Sequence, residues 1–128
     1  MQLLEPSNTE LIKELFGCAH GLLRDTAQLL VEVGDGSLSH TLQSGELWRS
    51  PRCVEASDAL TRAAHQLGIV ASRECTTSHY YTCFSPLEHP PSEDDIIACM
   101  TGGQFGATNA ESWPYIGTRR DIAKTGIF

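Results

Sequence analysis

Leu11, Ile12, Leu15, Phe16, Ala19, Leu22 and Leu23 recur at three- and four-residue intervals. That spacing lines one face of a helix with apolar side chains. The preceding run, Glu5-Pro6-Ser7-Asn8-Thr9-Glu10, is a loop feeding a helix start, with Ser7 or Asn8 placed to cap the first N–H groups. Glycines at 17 and 21 interrupt the stripe, so the helix is expected to end or bend between Gly17 and Gly21 and resume through Leu22–Val33. Gly34-Asp35-Gly36-Ser37 is a turn cluster, and residues 37–50 read as a polar, irregular loop carrying His40, Gln43 and Trp48. Pro51 suits a helix start, and Val54, Ala56, Leu60, Ala63, Ala64 and Leu67 continue a second helix from Cys53, stopped by Gly68.

After Gly68 the period shortens. Ile69-Val70-Ala71 opens a β segment towards Cys75, and His79-Tyr80-Tyr81-Thr82-Cys83-Phe84 is rich in aromatic and β-branched residues. A connector with three prolines follows, and Asp95-Ile96-Ile97-Ala98-Cys99-Met100 reads as a third strand. The pattern predicts an α+β domain, with N-terminal helices packed on a small antiparallel sheet. One domain spans residues 1–128: a helical part over about 7–68, a sheet part over about 69–106, and a packed C-terminal extension over 107–128.

Composition narrows the function classes. With 41% hydrophobic residues the chain has enough for a core, and its formal net charge of -7 disfavours nucleic acid or anionic membrane as partner. No apolar run approaches a membrane span and no secretory signal is visible, so a reducing, cytoplasmic setting is expected. Five cysteines without a C-x-x-C pair indicate neither a disulfide framework nor a zinc ribbon.

Candidate chemistry then centres on Cys53. A thiol at a helix N-terminus sits in the positive end of the macrodipole, which favours the nucleophilic thiolate. Acyl transfer also needs a base, a group that orients the base, and oxyanion donors. His79, opening a strand after the Cys53 helix, is the best-placed base; His20 and His65 fall on helices, and His40 and His89 on loops. If the His79 and Cys99 strands form a hairpin, the partner of His79 lies near Cys99 to Thr101. The acids Asp94 and Asp95 lie at the other end, near Phe84 and Ser85. Gln43 is a candidate oxyanion donor, and Trp48, Thr101 and Gln104 are candidate substrate contacts.

A cysteine opening a helix, Gly-Ile-Val-Ala after it, a histidine opening a strand, and a strand ending in Thr101-x-x-Gln104-Phe105 together resemble the papain-like and transglutaminase-like cysteine fold. Its small bacterial members carry an Asp-x-Thr-x-x-Gln-Phe motif, and Trp113-Pro114-Tyr115 is similar to their tails. The resemblance covers roughly residues 48–118. It implies Cys53 as nucleophile and His79 as general base, no cofactor, and a peptide, protein or carrier-bound acyl substrate. Cys99 stands at the position of the acid, which departs from that pattern.

Three functions follow from these residues. One is thiol-dependent acyl transfer or amide or thioester hydrolysis by a Cys53–His79 dyad. Another is a catalytically degenerate domain of the same frame, acting as a binding or partner subunit. The third is a metal or redox site built from Cys53, His79 and Cys99, including a Cys53–Cys99 disulfide. Elsewhere structural roles are expected: Cys18 as a core thiol, Trp113-Pro114-Tyr115 as a packed plug, Asp94-Asp95 as a solvated strand entrance, and Gly102-Gly103 as a turn.

Overall fold

The structure, a computed structural model, describes residues 2–47, 50–76, 79–86, 90–101 and 115–124. Helix α1 (Thr9–Glu32) is followed by α2 (Ser37–Ser44) and α3 (Cys53–Gln66). Strands β1 (Ser72–Cys75), β2 (Tyr80–Cys83), β3 (Ile96–Cys99) and β4 (Tyr115–Thr118) come next, and α4 (Arg119–Ala123) closes the described part. The strands form one antiparallel meander in the order β1-β2-β3-β4. The architecture is α+β, as the sequence pattern predicts.

Asn8 caps α1 by accepting a hydrogen bond from the Leu11 N–H at 3.2 Å. The helix does not end at its glycines; it runs unbroken for 24 residues. Gly17 and Gly21 each cost an interior turn on the order of 1 kcal/mol. Burial of Leu15, Phe16, Ala19, Leu23 and Ala27 along one continuous stripe outweighs that.

The expected loop over 37–50 is instead largely helix. Leu38 and Leu42 stand four apart and pack inward, Asp35 accepts from the Ser37 N–H and hydroxyl at 3.0 and 2.7 Å, and Gly45 ends α2 in the left-handed conformation at φ 73. His40 therefore lies on a helix. At the end of α3 Gly68 takes φ 73, the conformation that reverses the chain into the sheet.

The sheet also reaches further along the chain than 69–106, because β4 pairs with β3 from Ile96↔Thr118 to Cys99↔Tyr115. Part of the expected extension is thus an edge strand followed by a short helix. Apolar side chains of the two sheet faces fall into separate clusters. Phe84, Ala98 and Met100 join α1 and α3 in the main core with Leu15, Leu23 and Leu60. Tyr81, Cys83, Ile97 and Cys99 lie with Ile122 of α4 on the far face, and Tyr115 packs against them.

Candidate functional site

Which face each site residue occupies follows from strand alternation. Thr82 points to α3: its hydroxyl donates to the Ser57 carbonyl at 3.2 Å and lies 3.0 Å from the Thr61 hydroxyl. Tyr81 and Cys83 therefore point away from α3. His79, three positions before Thr82, points away as well. Its ring stacks on Tyr81 with centroids 6.4 Å apart, and its Nε2 lies 2.8 Å from the Cys99 Sγ.

The hairpin places Cys99 where a partner for His79 is expected, since β2 and β3 pair at Thr82↔Ala98 and Cys83↔Ile97. Both members of the pair are enclosed, His79 at 1% and Cys99 at 2% exposure. Burial holds the His79 imidazole well below its ordinary range, to about 4. At neutral pH the ring is uncharged. Thr101, one residue past Met100, is buried too.

Cys53 is the first residue of α3 and is half-buried. The last turn of α3 is tied to the start of β1 by His65 Nε2, 2.8 Å from the Ala71 carbonyl. Ser72 pairs with Cys83, so α3 ends over the Cys83 end of β2 and begins over the Tyr80 end. Cys53 precedes Ser57 by about one helical turn, roughly 6 Å, which is about two strand residues. Cys53 and His79 thus lie towards the same end of the sheet. The His79 ring, beside Cys99, sits on the face away from the body of α3. The odd spacing of His79 from Thr82 is the reason.

Gln43, expected as an oxyanion donor, lies on α2. Its amide donates to the Ser39 hydroxyl at 3.5 Å, and its side chain lines a cleft of about 270 Å³ between α1 and α2 with Arg24, Gln28 and Leu42. Trp48, His89, Gln104, Gly102-Gly103 and Trp113-Pro114 lie outside the described residues. All five cysteines are free thiols, so no Cys53–Cys99 disulfide is present. Among the described residues no three His, Cys, Asp or Glu side chains converge as metal ligands, and Cys53, His79 and Cys99 do not form such a group.

A second polar cluster escaped sequence reasoning. The Arg119 Nη1 donates to Glu74 Oε2 and to the Tyr81 hydroxyl, each at 3.0 Å, and its Nη2 to Asp95 Oδ2 at 2.9 Å. Its Nε donates to the Ser92 carbonyl at 3.1 Å, and Nη2 lies 3.7 Å from the Cys83 Sγ. Asp95 is accordingly not a solvated strand entrance; its side chain is only 11% exposed. Burial pushes its carboxyl up, but hydrogen bonds from the Ser92 N–H, Arg119 and the Ser85 hydroxyl outweigh that and hold it below the ordinary range. Burial and Glu74 push the Tyr81 phenol up to about 12. Arg119 and the acids are more than twenty residues apart in the chain, so only the sheet order could have linked them.

The chain matches no family model, no curated protein and no solved structure. Among the described residues no helix is long and apolar enough to cross a membrane.

Proposed function

We propose that this chain is a papain-like or transglutaminase-like domain that does not perform thiol catalysis and serves as a binding or partner subunit. The buried His79–Cys99 pair carries this reading. A Cys–His dyad holds its thiolate against an imidazolium, which solvent or an acid stabilises. Burial at His79 opposes the imidazolium, and Cys99 supplies no carboxylate to favour it. The five free thiols suit the reducing, cytoplasmic setting that belongs to the same reading.

One observation favours a second reading. Cys53 opens α3 and is only half-buried, the place a nucleophile would occupy in thiol-dependent acyl transfer or amide or thioester hydrolysis. Its substrate would be a peptide, a protein or a carrier-bound acyl group.

Iodoacetamide alkylation of the native protein at neutral pH, resolved cysteine by cysteine by mass spectrometry, separates the two. The binding reading expects Cys53 to react within about threefold of Cys18, the other half-buried thiol. A Cys53 rate about tenfold or more above Cys18, abolished by His79→Ala, would establish the enzyme instead.

A further inference from the structure

We infer that β4 and α4 form a strap, latched by Arg119, over the sheet face that holds the His79–Cys99 pair, and that releasing the latch exposes Cys99 while the helical layer stays folded. The strap covers that face directly: Ile122 is fully buried among Tyr81, Cys83, Ile97 and Cys99, and Tyr115 packs against them. Tyr115 lies back along its own strand over Gly117, where a Cβ would fall 2.6 Å from the tyrosine hydroxyl. A glycine at that position lets the ring lie flat on the face.

The strap has little hold of its own. A four-residue edge strand and a five-residue helix are too short to persist alone. β3 pairs with β4, and Arg119 adds the wider grip. From the first position of α4 its guanidinium reaches Glu74 on β1, Tyr81 on β2 and Asp95 just before β3. The backbone follows, with the Arg119 N–H bonded to the Asp95 carbonyl at 2.8 Å and the Arg120 N–H to the Glu93 carbonyl at 2.9 Å. Arg120 pairs with Glu93 and Asp94 at the surface. The helical layer keeps its own core, which takes only the partly buried Ile116 from the strap. Loss of the Arg119 fork thus strikes one cooperative unit and leaves the other intact.

Arg119→Ala tests this, read by the alkylation of each cysteine in the native protein. Cys99 and Cys83 should react about tenfold or more faster than in the parent, with Cys18 on α1 unchanged. Arg119→Lys, which keeps the charge without the fork, should fall between. A folded Arg119→Ala protein whose Cys99 reacts at the parent rate overturns the inference. So does a rise of Cys18 and Cys99 together, which is global unfolding. Should Arg119→Ala not accumulate folded, Glu74→Gln releases one arm of the latch, and an unchanged Cys99 rate there is equally fatal. The readout is Cys99 rather than Cys53, so this inference and the proposed function fail separately.

Discussion

The two faces of the sheet are held by different physics. The face under α1 and α3 is aliphatic: Leu15, Leu23, Leu60 and Ile69 are fully buried, and Ala19, Ala56, Ala59, Ala63 and Ala64 let the helices approach the strands. Among the described strand residues on this face, the fully buried polar group is the hydroxyl of Thr82. The far face has a smaller apolar cluster and is bounded by charge, with Arg119 against Glu74 and Asp95, and a buried histidine beside a thiol. A large apolar area needs no specific partner, whereas a small one is completed by directional bonds. Candidate chemistry collects on the second face, where losing one group leaves its partners unsatisfied.

The same kind of truncation on each side tests that contrast. Leu60→Ala should cost about 3–4 kcal/mol in urea unfolding, because the main core surrounds the cavity on all sides. Ile122→Ala, equally buried but under a short strap, should cost about 2 kcal/mol, since the strap can settle into the space. Equal losses from both would mean that one continuous core, not two unlike faces, stabilises the protein.

Acid sharpens the contrast next, because His79, the fully buried histidine among the described residues, lies on the far face. His79 is lowered to about 4 in the folded protein from 6.5, so between those values the unfolded chain binds a proton that the folded one does not. Stability should therefore be full above about pH 6.5 and fall as pH drops towards 4, by on the order of 3 kcal/mol from this group. His20, lowered by burial and then by Arg24, adds a slope of the same sign. Asp95 acts in a lower window: its contribution is present above its ordinary value of 3.8 and lost as pH falls through its depressed folded value. Urea titrations at pH 7 and 4.5 should show His79→Gln removing most of the intervening loss. A variant that keeps the parental slope would show that the ring is not the group held neutral.

Much of the frame is legible in the amino-acid sequence alone. The apolar stripe of α1, the cap at Asn8, the start of α3 at Cys53, the stop at Gly68 and the hairpin that sets Cys99 beside His79 all follow from local rules. What escapes is non-local. Tyr80-Tyr81-Thr82-Cys83 has no polar–apolar alternation, so the chain does not declare which side faces α3. The hydroxyl of Thr82 settles it, and His79 goes to the other side. α2 is hidden by its polar surface, although Leu38 and Leu42 at helical spacing between glycines are the available signal. Arg119 and its acids are out of reach because their contact depends on β4 being the fourth strand.

The smallest test concerns the buried polar tie between β2 and α3 on the aliphatic face. Thr82→Val keeps the shape and β-branching of the side chain but removes its hydrogen bonds to the Ser57 carbonyl and the Thr61 hydroxyl. The Ser57 carbonyl already lies within α3, where the helix's own ladder supplies a donor. Only the Thr61 hydroxyl has to find a new partner, and it can turn back to a carbonyl of its own helix. The loss should be about 1 kcal/mol or less, seen as a small shift in the urea midpoint with an unchanged slope. A loss of about 2 kcal/mol or more would mean that a directional bond sets the register of β2 under α3. The aliphatic face would then depend on specific partners as the far face does, and the distinction between them would fail.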